Sequence, residues 1–424
     1  MEKYQLNKNI MCIDLKSFYA SVECALNDFD PFNTPLVVAD LSRGNGALCL
    51  AVTPYLKKYG IPNRIRVFDL KKFTNETIIY AKPKMRTYMK YSIKVIEILL
   101  KYVSYDDIYV YSIDETFVDL TNYLKLYKLS DYDLTKKIKD DILNTLKLHS
   151  TCGIGPNMLM AKLSMDLEAK NTIEGIAKWD YSDVKTKLWK VTPLSKMWGI
   201  GSRREKHLND LGLYTIGDIA NSSEKRLKRL FGVLGTELWY HTHGIDLSLI
   251  QDKDILRNKS KSVGLSQILF SDYYSPNIYI IIKEMLDEVL RRLRLTKHKA
   301  KTIRISCGYN KDTGGGFSKQ TTLLNPTNSY YLLLDELLNL FNNSYDHNSP
   351  IRSISISLTN LIKTNLYQYS LFEDHLYLEK ELKLLETIDS IKINHGKNSV
   401  NRGSSLDDAS TIIARNKMVG GHNG

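Results

Sequence analysis

Two short apolar runs, far apart in the chain, each end on acidic residues, and this arrangement constrains the fold more than any other feature. Ile10-Met-Cys-Ile13 reads as a buried strand that delivers Asp14 to its C-terminal end. Ile108–Ile113 and Thr116–Leu120 alternate as strands, with Asp114-Glu115 at their join. Helices are predicted over Ser17–Leu26, Lys84–Val103, Leu134–Leu148 and Asn157–Ala169, and a further strand over Thr151–Gly155. Strands and helices thus alternate in one α/β layer that gathers acids at strand ends. Acids in such places serve equally as turn or helix caps and as metal ligands, so position alone leaves both uses open.

The rest of the chain divides around that layer. Between Pro31 and Pro83, a strand (Leu36–Ala39), a glycine turn (Arg43-Gly-Asn-Gly46), a strand (Ala47–Val52) and a helix from Pro54 to a Gly60 stop suggest a compact insertion. From Pro193 to Gly244 the pattern is helical, and Gln251–Lys261 reads as a linker. A strand-helix-strand-strand-helix-strand pattern follows, with apolar residues at Ile278, Ile281, Ile282, Met285, Val289 and Leu293 on its first helix. Its strands are expected over Lys301–Gly308, Phe317–Leu324 and Ile351–Leu358. Beyond Lys363 the pattern breaks, and the Asn-, Gly-, Ser- and Lys-rich end of the chain predicts a flexible tail.

With 424 residues, 43% of them hydrophobic, several domains fit without disulfides. The five cysteines are scattered, with no Cys-x-x-Cys pair, so they read as core residues in a reducing compartment. Neither a leader-like apolar stretch at the N-terminus nor a membrane span is expected, which points to a cytoplasmic protein. A net charge of +12 favours a polyanionic partner.

Asp14-Leu-Lys-Ser-Phe-Tyr-Ala-Ser-Val-Glu23 and Tyr111-Ser-Ile-Asp-Glu-Thr-Phe117 together resemble the two carboxylate motifs of the Y-family translesion DNA polymerases. Gly153-Ile-Gly155, Met160-Ala-Lys162, Trp198-Gly-Ile-Gly201 and Lys261-Ser-Val-Gly264 continue the likeness in the family's order, over roughly residues 9–365. Pro193-Leu-Ser-Lys-Met-Trp198 and the C-terminal Arg415–His422 stretch place it nearest the UmuC-like branch and its UvrX-like stand-alone proteins of Gram-positive bacteria.

The resemblance implies a multidomain α+β right-hand polymerase. Its palm would comprise residues 1–17 and 80–178, small fingers 18–79, and a helical thumb with a helix-hairpin-helix 179–246. A linker (247–258), a βαββαβ little finger (259–363) and a flexible tail (364–424) would follow. The implied activity is template-directed addition of dNTPs opposite damaged bases, at low fidelity and without proofreading. Two Mg²⁺ ions, with Mn²⁺ able to substitute, would be held by Asp14, Asp114 and Glu115. Phe18 and Tyr19 match the family's aromatic pair, which makes Tyr19 a steric gate against ribonucleotides, and Glu23 would orient the site. Lys57, Lys162 and Lys170 are the cations expected to meet the triphosphate. Pro54 stands where other branches carry a phosphate-binding Tyr, and for Lys170, one residue further from Lys162 than usual, an ordinary solvated lysine fits equally well.

Gly199 and Gly201, with Arg203 and Arg204 beside them, look like a helix-hairpin-helix turn aimed at a DNA phosphate, its helix closed by a Ser202–Glu205 capping box. Lys259, Lys261, Ser262 and Arg304 would track a duplex across the little finger. Gln368-Tyr-Ser-Leu-Phe372 resembles the peptide that docks bacterial polymerases on the sliding clamp, with Gln368, Leu371 and Phe372 as its anchors. The expected partners are therefore primed and damaged DNA, dNTP and the clamp, with a recombinase filament or an accessory subunit as further candidates, in a nucleoid-associated bacterial protein. A clamp-bound scaffold without catalysis and a nucleotidyl cyclase are the competing readings.

Overall fold

A computed structural model of the chain describes residues 2–62, 64–252, 261–363 and 375–423. It separates into two compact units, Met1–Arg257 and Asn258–Asn423.

The first unit is organised by β1 (Ile10–Leu15), which lies at the centre of a five-stranded sheet. After α1 (Phe18–Leu26) come β2 (Leu36–Val38), β3 (Ala51–Val52), α2 (Pro54–Lys57) and β4 (Ile79–Ala81), which form a small separate sheet in the order β3-β2-β4. Its core is Val37, Cys49, Leu56 and Leu70. The strand expected from Ala47 shrinks to two residues. Between Ala47 and Leu50 the backbone bonds by turns to Gly44, Ile65 and Val38, so no single partner strand organises it.

The chain returns to the large sheet through α3 (Met85–Leu99), β5 (Ile108–Val110), β6 (Glu115–Asp119), α4 (Tyr123–Tyr127), α5 (Asp131–Leu146), β7 (Ser150–Gly155), α6 (Met158–Leu167) and β8 (Ile176–Lys178). The strand order is β5-β6-β1-β7-β8, with β1 antiparallel to both neighbours. Helix α6 lies directly on β7. A Cβ at Gly153 would fall 2.1 Å from the Ala161 carbonyl oxygen, and one at Gly155 would fall 2.5 Å from the Ala161 nitrogen. Glycine at both positions therefore sets how close the helix comes to the sheet.

Helices α7 (Asp183–Thr186), α8 (Ser202–Asp210), α9 (Ile216–Ala220), α10 (Glu224–Phe231) and α11 (Val233–Thr242) complete the unit around Leu194, Met197, Leu208, Ile216 and Leu238.

The second unit contains the expected alternation with longer strands: β9 (Ser262–Tyr273), α12 (Ile278–Leu295), β10 (His298–Tyr309), β11 (Gly316–Thr327), α13 (Tyr330–Asn342) and β12 (Ile351–Lys363). They form an antiparallel sheet in the order β11-β10-β12-β9. One face carries Ile303, Ile305, Ile354 and Ile356 into a core with Ile281, Met285, Leu333 and Leu337 of the two helices. Period-two alternation turns the other residues to the open face.

The expectation of a flexible tail over 364–424 is overturned for 375–423. These residues form α14 (His375–His395), α15 (Ile412–Asn416) and a hairpin of β13 (Met418–Val419) and β14 (His422–Asn423). Polar contacts fasten them to the domain. Asp389 takes two hydrogen bonds from Arg294 at 2.7 and 3.1 Å, and Arg402 donates to Asp287 at 2.9 Å and lies over the Tyr330 ring. The buried Glu381 accepts from the Ser329 hydroxyl and the Tyr330 and Tyr331 amides at 2.6, 2.7 and 3.1 Å, capping α13 from a distant helix. Arg294 and Asp389 are only 8% and 10% exposed, so residues that look like solvated charge in the sequence are interior partners.

Candidate active site

Register places the acids together. Asp14 on β1 is paired across the sheet with Glu115 on β6, and the Leu15 amide donates to the Asp114 carbonyl at 2.9 Å. Asp114 lies in a tight turn in which the amides of Tyr111 and Ser112 both donate to the Glu115 carbonyl at 3.0 Å. The Ser112 hydroxyl holds the Asp114 carboxylate at 2.7 Å.

The side chains of Asp14 and Glu115 each face a lysine. Lys170 Nζ is 2.8 Å from Asp14, and Lys162 Nζ is 2.7 Å from Glu115. Asp166 joins the two lysines, at 3.0 Å from Lys162 and 2.7 Å from Lys170. Asp166 went unnoticed in the sequence, although its spacing of four from each lysine on a helical stretch is the signal that finds it. With the side chains so paired, no three acidic, histidine or cysteine groups among the described residues converge as a ligand set. An ammonium thus stands against each of Asp14 and Glu115.

Burial lifts the Asp14 carboxyl above its ordinary range; the Lys170 ammonium opposes this, and the charge of Asp114 adds to it. Burial likewise lifts Glu115, against the hydrogen bond and charge of Lys162. Burial opposes charge on Lys162 too, but its hydrogen bond to Glu115 and the charges of Glu115 and Asp166 together outweigh this and raise its pKa. Three carboxylates, Asp14, Glu115 and Asp166, share two ammoniums, and with Asp114 on the Ser112 hydroxyl beside them the place carries a surplus of negative charge. Hard oxygen donors that repel one another fit divalent Mg²⁺ or Mn²⁺.

A cavity of about 1020 Å³ opens beside these acids, lined by Asp14, Asp114, Phe18, Tyr19, Lys57 and Lys170 among others. Lys16 and Lys58 also line it and escaped the sequence reading. Lys57 ends α2, whose first position is Pro54, and burial lowers its pKa. Lys162, expected beside the triphosphate, lies instead between Glu115 and Asp166, is 8% exposed, and is not among the lining residues. The close seating of α6 on β7 brings it to the carboxylate side. Phe18 is buried, whereas Tyr19 is half-buried and stacks on Tyr88 with ring centroids 4.7 Å apart. Buried Glu23 receives the Tyr88 hydroxyl and Lys84 Nζ, both at 2.8 Å, so it supports the ring beneath Tyr19.

The Trp198–Gly201 turn precedes α8, with Gly199 at a positive φ of 91°. Gly201, not Ser202, is the N-cap residue, and no side chain caps the helix. Ser202 sits one residue inside the helix, where it cannot close a box with Glu205; the capping box of this region is Thr215–Asp218, on α9. The first amides of α8 therefore lack a side-chain cap beside exposed Arg203, while Arg204 donates back to the Gly199 carbonyl at 2.7 Å.

In the second unit, Lys261 is exposed, Ser262 heads β9, and Arg304 projects from the open sheet face, where it donates to Ser318 at 2.9 Å. Around Arg304 that face is hydroxylated, with Ser266, Ser355, Ser306 and Ser318 in register across all four strands. Lys259 and the Gln368–Phe372 peptide lie outside the described residues.

A sheet with acids at adjoining strand ends beside a large basic cavity, a glycine turn before a helix, and a βαββαβ unit together define a right-hand polymerase. The impB/mucB/samB family matches residues 13–166, its helix-hairpin-helix motif 181–213 and its C-terminal domain 260–371. The chain belongs to this family, that of the Y-family DNA polymerases. It is 38% identical to the Bacillus subtilis (strain 168) UV-damage repair protein UvrX, over 98% of this chain and 97% of that one. It is 32% identical to DNA polymerase IV 2 of the same organism, over 98% of each. A solved Y-family DNA polymerase chimera of Dbh and Dpo4 matches its fold with a TM-score of 0.65 at 22% identity, covering 84% of this chain and all of that one.

Proposed function

We propose that this Y-family polymerase performs translesion synthesis by nucleotidyl transfer at Asp14, Asp114 and Glu115, with two Mg²⁺ ions that Mn²⁺ can replace. The observation that carries the reading is the register pairing of Asp14 with Glu115, with Asp114 beside them at the mouth of a cavity large enough for a nucleotide. When bound, the ions supply charge neutralisation at the attacking 3′-hydroxyl and at the departing pyrophosphate. Asp14 and Asp114 are the carboxylates that would hold both ions, and Glu115 would hold one of them. Lys170 and Lys57 meet the triphosphate, Lys170 turning from Asp14 while keeping its contact with Asp166. Lys162 stays beside Glu115 and favours its charged form against burial. Tyr19, braced by Tyr88, closes the floor under the sugar and excludes a 2′-hydroxyl.

DNA enters this reading through the glycine turn with Arg203 and Arg204, and through the open sheet face with Lys261, Ser262 and Arg304. Lys259 is a further cation for the same duplex. Gln368–Phe372 is the docking peptide for the sliding clamp, and a recombinase filament or accessory subunit remains a candidate partner in a nucleoid-associated role. No helix among the described residues is long and apolar enough to cross a membrane.

Primer extension past an abasic site, with purified protein, Mg²⁺ and all four dNTPs, tests the proposal. Extension is expected, and loss of it on Asp14→Ala or Asp114→Ala. No nucleotide addition by protein shown to be bound to primed template, or unimpaired addition by either variant, would overturn it.

A further inference from the structure

Trp198 is the ring that packs against two cores at once: the helical core of Leu194, Met197 and Ile200, and the sheet core of Cys12, Phe117 and Met165. Its ring neighbours on the sheet side, Tyr111 and Phe117, belong to the hairpin that carries Asp114 and Glu115. The Trp198 and Tyr111 rings meet edge to face with centroids 5.7 Å apart, and the Trp198 and Phe117 rings lie 6.0 Å apart. Trp198 Nε1 donates to the Tyr111 hydroxyl at 3.3 Å, and Tyr111 itself stands edge to face on Phe117 at 5.9 Å. Tyr111 opens the Tyr111–Glu115 turn, through the amide bond to Glu115 described above. On its other side, Trp198 is followed at once by Gly199, Ile200 and Gly201, the turn before α8.

Burial alone does not explain this contact. Tyr111 is 43% exposed and Trp198 only half-buried, so both rings remain at the surface while touching each other. What the contact does is join, through a single side chain, the turn that precedes α8 to the turn that holds Asp114 and Glu115.

We propose that Trp198 is a positioning residue, which through Tyr111 fixes the DNA-holding glycine turn relative to the carboxylate turn and so aligns the primer end with the reaction centre. The inference rests on the proposed function, in which the first turn holds DNA backbone and the second holds the reacting carboxylates. Its importance follows from geometry: reacting atoms must approach to about 3–3.5 Å, and an error of about 1 Å costs on the order of 100-fold in rate.

Single-turnover extension of a primed template separates the turnover rate from the Kd values for DNA and dNTP. Trp198→Ala and Tyr111→Ala are each expected to lower the rate about 10- to 100-fold and to leave both Kd values within about twofold. Trp198→Phe should recover most of the rate, and the double alanine variant should be little slower than either single one, because both changes break the same link. Tyr111→Ala removes an exposed ring, so it decides the matter even if Trp198→Ala fails to fold. An unchanged rate in Tyr111→Ala, or a rise in DNA Kd that alone accounts for the loss, overturns the inference. The parent reading fails separately: Arg203→Ala should raise the DNA Kd, and an unchanged Kd there removes the DNA-holding turn itself.

Discussion

Lys162→Met would remove an ammonium that is 8% exposed and replace it with an apolar chain of similar length, leaving Glu115 without the partner 2.7 Å away. Breaking a buried ion pair from one side costs about 3–5 kcal/mol. Protonation limits that cost. Starting from the ordinary glutamate value of 4.5, neutralising Glu115 at pH 7 costs at most about 1.36 × 2.5, or ~3.4 kcal/mol, and at pH 5 about 0.7 kcal/mol. Glu115 is already raised by burial, so the stability it contributes is present below its ordinary pKa and lost as pH climbs through the raised one. The variant raises it further, and the deficit therefore grows with pH. At about 2–4 °C per kcal/mol, the transition of the first unit should fall by roughly 6–14 °C at pH 7 and by no more than about 3 °C at pH 5. Thermal unfolding followed by circular dichroism at the two pH values measures this. Equal falls at pH 5 and pH 7, or a fall below 2 °C at pH 7, would refute the account of Lys162 as the charge partner that Glu115 requires.

Three further outcomes are expected. Tyr19→Ala should admit ribonucleotides, raising kcat/KM for rNTP relative to dNTP by at least about tenfold in single-nucleotide insertion, whereas unchanged sugar selection would remove Tyr19 as the gate. Glu381→Ala leaves two α13 amides and the Ser329 hydroxyl without their acceptor, and should lower the stability of the second unit by about 1–3 kcal/mol in urea unfolding; no shift in midpoint would mean that water replaces it without cost. Arg304→Ala should reduce the slope of log Kd against log salt for primed template by about one, equally for every sequence tested. A sequence-dependent loss would instead assign Arg304 to base reading.

The acid-bearing strands were legible because an apolar run that ends on an acid leaves few other placements, and β1 and β6 lie where that pattern puts them. The βαββαβ unit was legible for a similar reason, since the stripe on α12 and the alternation of β10 and β12 are local signals. What stayed hidden depends on partners distant in sequence. Glu381, Asp389 and Arg402 look like solvated charge until α13 and α12 stand next to them, so the segment that carries them was misread as flexible. Lys162 was read as a triphosphate contact because its motif says nothing of the Glu115 carboxylate beside it. The link from Trp198 to Tyr111 joins residues 87 apart, and neither carries a local sign of it.

The folded return of the C-terminal segment changes what it would mean for another protein to grasp Gln368–Phe372. Strand β12 ends at Lys363 and helix α14 begins at His375, both within one unit, so the chain leaves and re-enters the same body on either side of that peptide. A peptide at the end of a free tail is a leash, and whatever holds it leaves the enzyme free to swing. One moored at both ends is a handle: a partner that takes it also takes the bearing of the domain, and turns the sheet of β9 to β12 along with it.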